Sequence, residues 1–199
     1  MQLEHLHYSE APEETTVNQT PVINAAISKR LLENRKVFLW GAVEDESART
    51  VVSQLVYLAT ESSEPIHLYI NSPGGMVTAG NAILDIMHSI KAPVYTYCLG
   101  FAASMGAILL SAGEKGHRYI YPSAEVMIHQ PGMGGVRGRA WEIETHARQI
   151  AKAKQLAAAL LAKNCNRSLQ QVLDDFDKDY WMDADEAIKY GIVDRLVTD

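Results

Sequence analysis

Cysteine is scarce in this 199-residue chain, with Cys98 and Cys165 the two present. That excludes a disulfide framework and makes a reducing cytoplasm the expected compartment. Long apolar runs are missing as well. No stretch approaches the roughly 18 to 20 consecutive apolar residues that a membrane span needs, so no membrane partner is expected. Basic blocks are also absent: Lys29-Arg30 and Arg35-Lys36 are the densest pairs, and the formal net charge is −6. Nucleic acid, which demands a concentrated basic face, is not an expected partner. There is no HExxH, CxxC or comparable ligand spacing, which argues against a metal site. The opening MQLEHLHYSEAPEETT lacks the basic and apolar regions of a secretory signal. Residues 1–16 read as a flexible arm or short pro-segment, with order beginning near Val17.

What the chain does have is apolar substance, 47% of its residues, enough for one main domain over 17–199. From Lys36 onward, short β-type runs alternate with amphipathic helical patterns, the signature of an α/β fold. KVFLW (36–40) precedes a helix from about Asp45 to Ala59, and IHLYI (66–70) precedes the turn NSPGG and a helix carrying Ile83, Ile86, Met87 and Ile90. PVYTYC (93–98) leads into a helix beginning near Ser104, and further strands are expected at RYIY (118–121) and EVMI (125–128). Three successive strand-turn-helix units imply a layered α/β spiral. An alanine-rich helix from about Ala140 to Lys163 either projects from the body or packs as an ordinary core helix. Ser168 with Gln171, and Asp183 with Glu186, have capping-box spacing, and Gly191 is placed to end the last helix.

The chemistry concentrates around CLGFAASMGAILLSAG. Ser104 stands there between an apolar strand and an apolar helix, flanked by Ala102, Ala103 and Gly106. A nucleophilic serine needs such small neighbours, because its Oγ must stand clear of a tight strand-to-helix turn. The Met105 N–H at the helix start could bind a developing oxyanion. Ser104 as a simple helix cap is an equally good reading of the local sequence. The turn Asn71-Ser72-Pro73-Gly74-Gly75 could present a second N–H, from Gly75, to the same oxyanion. His129 lies where the apolar run Val126-Met127-Ile128 ends and is placed to act as a base, although it is one of 7 histidines. Asp179, just before an aromatic pair, could point inward and orient that base. Asp174, Asp175, Asp177 and Asp183 compete for the role, and residue chemistry does not choose among them.

Together, INSPGG (70–75), GFAASMGAILLSAG (100–113), MIHQP (127–131), HAR (146–148) and DKDYWM (177–182) closely resemble the proteolytic subunits of Clp proteases, from Lys29 to the end of the chain. The resemblance implies a crotonase-like α/β spiral, with Ser104 as nucleophile, His129 as base and Asp179 as its partner. Asp179 follows from aligning His146-Ala147-Arg148 with the family, because Gly132-Met133-Gly134-Gly135 is one residue longer than usual. Gly75 and Met105 then fall at the oxyanion-hole positions. Substrate backbone would lie along Gly75, Met76 and Val77 on one side and Pro131, Gly132 and Met133 on the other, which suits β-augmentation and broad sequence tolerance.

The implied function is an ATP-dependent serine endopeptidase cutting unfolded polypeptides inside two stacked heptameric rings, a tetradecamer. This subunit would hold no cofactor, ATP being used by a hexameric AAA+ unfoldase of the ClpX, ClpA or ClpC type. The long helix and the segment before it (about 130–163) would form the ring-to-ring handle. Departures from the family concern assembly. Pro21-Val22-Ile23-Asn24-Ala25 replaces an RGER-containing segment, and His67 and Ser89 stand where aromatic residues usually receive unfoldase loops. Burial of such a side chain is worth about 1.5 to 3 kcal/mol, so docking should be weaker. Lys178 replaces an arginine at a ring contact and Arg139 replaces a glutamine near the handle. These changes suit an alternative role, a paralogue of low intrinsic activity that supports or regulates a mixed double ring. A crotonase-type acyl-CoA enzyme is disfavoured by the serine in GFAASMG and by the chain length.

Overall fold

The computed structural model describes residues 25–132 and 137–198. The proposed arm (1–16), its boundary at Val17, the segment Pro21 to Asn24 and Met133 lie outside the described residues. Helix α1 (Ala25–Glu33) leads into strand β1 (Lys36–Trp40), helix α2 (Asp45–Glu61), β2 (Ile66–Ser72), α3 (Val77–Ser89) and β3 (Val94–Ala103). After α4 (Met105–Ser111) come β4 (Arg118–Ile120), β5 (Glu125–Ile128), α5 (Ala140–Cys165), α6 (Leu169–Asp175), β6 (Tyr180–Met182), α7 (Ala184–Tyr190) and β7 (Arg195–Leu196). The mixed α/β architecture expected from the alternating pattern is therefore present.

The strands form one 7-stranded sheet in the order β1-β2-β3-β4-β7, with β5 paired to β3 and β6 paired to β5. All pairings are parallel except β5 with β6. Strand β3 serves two neighbours on one edge: Thr96–Cys98 pair with β4, and Phe101–Ala103 pair with β5. Gly100, at φ +63°, lies between the two stretches, in a backbone region where a side chain is strained. This division carries the end of β3 away from β4 and alongside β5.

Alternation along the strands sorts the two faces. Val37, Leu39, Ile66, Leu68, Ile70, Val94 and Cys98 are buried against the helical layer, which contributes Val51, Leu55, Ile83, Met87, Leu109 and Leu110 to the same core. The opposite face carries rings in register. Phe38, Tyr69, Tyr97 and Tyr119 stack across four strands with centroid separations of 5.1, 4.6 and 4.8 Å, close to the spacing of paired strands. The His67 ring nitrogen and the Tyr97 hydroxyl are 2.9 Å apart. Burial, together with neighbouring Tyr69 and Tyr119, pushes the Tyr97 hydroxyl up to about 12. Burial and the nearby Lys36 and Arg35 charges lower the pKa of His67, which favours the neutral ring.

Helix α5 runs 26 residues, and its buried positions Ala158, Leu161, Ala162 and Cys165 all lie in its C-terminal part. Trp141, Ile143 and Leu156 are exposed. The helix is thus neither wholly core nor wholly free, and the core reading holds only for its last turns. Of the two capping boxes, Asp183–Glu186 has both reciprocal bonds. Ser168 accepts from the Gln171 N–H, but the Gln171 side chain turns to Asp175 instead, so that second box is half formed. Gly191 closes α7 at φ +94°.

Arg118 clamps the C-terminal end to the body. Its side chain is 4% exposed and meets Asp194, 17% exposed, at 2.6 Å, while also donating to the Ser111 and Asn164 carbonyls. Burial alone would raise the Asp194 pKa, but the Arg118 hydrogen bonds and charge and the Gly116 N–H outweigh it and hold the carboxyl below its ordinary value. The stabilisation from this depressed pKa is complete above the unfolded value and is lost as pH falls through the folded one. Asp194→Ala should cost about 3 to 5 kcal/mol by leaving a buried guanidinium unpaired. Denaturant unfolding at neutral pH checks this, and a loss under about 1 kcal/mol would show that the clamp matters little.

Candidate active site

Strand register brings the three candidate side chains together. Ala103 pairs with Met127 in the parallel β3–β5 ladder, and the Ser104 N–H donates to the Met127 carbonyl at 2.8 Å. Ser104 therefore leaves β3 one step short of the level of His129, the first residue after β5. In the antiparallel ladder Met127 pairs with Trp181 and Ile128 with Tyr180, so the next step sets His129 opposite Asp179. Directly opposed residues project from the same face of the sheet, within side-chain reach. The resulting contacts are His129 Nε2 to Ser104 Oγ at 2.9 Å and His129 Nδ1 to Asp179 Oδ1 at 3.0 Å. An ionised carboxylate can only accept, so Nδ1 carries the proton and Nε2 is left to accept from the serine hydroxyl.

The capping reading of Ser104 fails in the structure. Its side chain makes no bond to the helix and turns to His129 instead. Its backbone, at φ +54° and ψ −119°, occupies a region that L-residues rarely adopt. Such a turn stands the hydroxyl clear of both strand and helix, as the small flanking residues suggested. The competing aspartates are elsewhere: Asp174 and Asp175 end α6 and bond Gln170 and Gln171, and Asp183 caps α7. One expectation needs correction, since the Asp179 side chain is 63% exposed and does not point into the core. A three-residue strand at the sheet margin gives it nothing to be buried under.

The oxyanion-hole candidates are adjacent. Among the described residues, neither the Gly75 nor the Met105 N–H donates to a protein acceptor. Gly75 is held by a parallel bridge to Val43, through Val43 N–H to Gly74 O and Met76 N–H to Val43 O. Met76 and Val77 are exposed beside it, and Pro131 and Gly132 follow His129-Gln130 in the chain. Among the described residues there is no metal-binding group of histidine, cysteine and carboxylates. Both cysteines are buried, and burial pushes Cys98 up to about 12 and Cys165 up to about 11, which keeps them as inert thiols.

Two contributors went unnoticed in the sequence. Gly74, at φ +86°, lies so close to the turn that a Cβ there would stand 2.6 Å from the Ala103 carbonyl, 2.7 Å from Ser104 Cβ and 2.8 Å from the Met105 nitrogen. Fully buried Ser72 accepts from the Gly74 N–H at 3.0 Å and shapes that approach. The consecutive glycines in NSPGG were the available signal, but sequence could not say which of them touches Ser104.

An α/β sheet that presents a hydrogen-bonded serine, histidine and aspartate beside a glycine-lined turn is the framework of a hydrolase. Residues 19–199 match the family model described as Clp protease. The chain belongs to the Clp protease family, and its class of activity is that of a peptidase.

Gly74→Ala should lower stability by about 2 kcal/mol or more, through backbone strain and overlap with Ser104. It should also lengthen the Nε2 to Oγ separation beyond about 3.5 Å. Denaturant unfolding and a crystal structure of the variant check both. An unmoved Ser104 would show that the close approach is not needed.

Proposed function

We propose that the chain is a serine endopeptidase of the ATP-dependent Clp type, acting on unfolded polypeptides. The observation that carries this reading is the continuous series Ser104 Oγ, His129 Nε2, His129 Nδ1 and Asp179 Oδ1, with separations of 2.9 and 3.0 Å. His129 takes the hydroxyl proton as Ser104 Oγ attacks the peptide carbonyl carbon. Asp179 fixes the tautomer and stabilises the imidazolium, and the Gly75 and Met105 N–H groups receive the oxyanion. Collapse breaks the C–N bond, and Nε2–H passes its proton to the departing amine. Water, deprotonated by His129, then attacks the acyl ester and releases the acid and free Ser104. Substrate lies extended along Gly75, Met76 and Val77 and along Pro131 to Met133, bonded through its backbone. The subunit needs no cofactor of its own for these steps.

Surface chemistry and family membership together support ring assembly. Tyr180 and Trp181 on β6 are 42% and 48% exposed beside Asp179, and Trp141 on α5 is 60% exposed. Exposed aromatics flanking a wet carboxylate suit a contact with another copy, with α5 as the handle between stacked heptameric rings in the cytoplasm. Closing that contact would exclude water and strengthen the Asp179–His129 bond. The ring-bearing face of Phe38, Tyr69, Tyr97 and Tyr119 is the proposed seat for an AAA+ unfoldase of the ClpX, ClpA or ClpC type, which uses the ATP. A second reading, a subunit working in a mixed ring with a paralogue, is favoured by the polar His67 against Tyr97 on that face and, through the family resemblance, by Ser89 at the end of α3.

Ser104→Ala should abolish peptide cleavage and fluorophosphonate labelling, while Asp179→Asn should lower kcat by about 10²- to 10⁴-fold. Cleavage that survives Ser104→Ala would remove the serine mechanism. Labelling of Ser104 only after a paralogue is added would select the mixed-ring reading. The Tyr69→Ala/Tyr97→Ala double variant should lose unfoldase-dependent protein degradation yet still cleave short peptides. Undiminished protein degradation would exclude this face as the docking seat.

A further inference from the structure

Gln130 follows the proposed base directly and is held from two sides. Its N–H donates to the Phe176 carbonyl at 3.3 Å, three residues before Asp179, and its side-chain oxygen accepts from Lys154 Nζ at 2.9 Å. Phe176 is itself 1% exposed, so the first hold is to an element fixed in the core. Pro131 has no N–H to add a further hold, and among the described residues nothing but the adjoining chain lies within 4 Å of a Cβ built on Gly132. His129 therefore takes its position from β5 on one side and from Gln130 on the other.

Lys154 is placed by the helix period. Ala158, Leu161, Ala162 and Cys165 form the stripe by which α5 grips the body, and Lys154 lies one turn before Ala158 on that same face. Nearer the N-terminus, at Trp141 and Ile143, the large apolar residues of α5 are exposed. Lys154 thus sits where the helix passes from buried to free, and its half-buried stem carries the ammonium to the Gln130 amide.

We infer that Lys154 is a positioning residue for the base, which through Gln130 holds His129 at bonding distance from both Ser104 and Asp179. It touches neither substrate nor the reacting atoms. The effect is geometric: a charge-assisted bond at residue 130 narrows the motion of the imidazole, and a small displacement there lengthens two bonds at once. The inference rests on the serine-peptidase reading above, because only a base has a productive position to lose.

The test compares Lys154→Met, Lys154→Arg, Gln130→Met and the Lys154→Met/Gln130→Met double variant of the full chain. The measurements are the rate of fluorophosphonate labelling at Ser104, and kcat and KM on a short fluorogenic peptide. Each single loss should slow labelling and kcat by about three- to tenfold with KM unchanged. The double variant should be no slower than either single, since both remove one bond, and Lys154→Arg should restore most of the rate. Circular dichroism and native mass spectrometry separate this from lost folding or assembly. A Lys154→Met protein that labels like wild type overturns the inference and leaves the serine reading intact, as do additive losses in the double variant or an arginine that restores nothing. A wild-type chain whose labelling is not at Ser104 overturns the serine reading, and the inference with it.

Discussion

The register of β5 against its two neighbours is the constraint on which the rest of the site depends. On one side the parallel ladder with β3 sets Ser104 beside Met127, and on the other the antiparallel ladder with β6 sets Asp179 across from His129. A slip of one residue in either ladder would turn every side chain on that strand to the opposite face and break the series. The slip is opposed by burial. Val126, Met127, Ile128 and Met182 are all buried, so the hydrophobic pattern that secures the core also sets the spacing of three polar side chains.

That dependence explains what could be read in the sequence. Strands with strong alternation and long helices were evident, because a 2- or 3.6-residue period is a property of the residues themselves. The order of pairing is not such a property. β6 has three residues and no period worth the name, so five nearby aspartates look alike to local chemistry, and it is the ladder that sets one of them opposite His129. Ser104 posed a similar ambiguity: a serine before an apolar helix reads as a cap, and only a partner 25 residues away distinguishes the alternatives. Family resemblance supplied Asp179 where local chemistry left it open. It could not anticipate that its side chain would stand in solvent.

The sheet's two faces place different demands on the chain. Parallel strands are usually covered on both sides, yet here one face carries a row of stacked rings and has no helical layer among the described residues. Tyrosine and histidine suit that position. Their rings pack at strand spacing, and their polar atoms tolerate water, as the His67–Tyr97 contact illustrates. His67 and Ser89 are polar where the related proteins usually carry aromatic residues, and Tyr69 and Tyr119 remain. Register adds Tyr97 between Tyr69 and Tyr119, and makes the surface continuous.

Ser104 itself is held in a conformation that costs on the order of 1 to 3 kcal/mol. A backbone at φ +54° persists only if its surroundings allow no alternative. Here they are specific: its N–H is bound to Met127, its carbonyl accepts from Ala107 and Ile108, and Gly74 lies so near that a side chain there would overlap its Cβ. Gly74 is in turn fixed by Ser72, whose side chain is buried under the start of α4. The bonds that close the first turn of α4 therefore also hold the serine upright. The strain is maintained by ordinary core packing, and the hydroxyl it carries is bonded to His129.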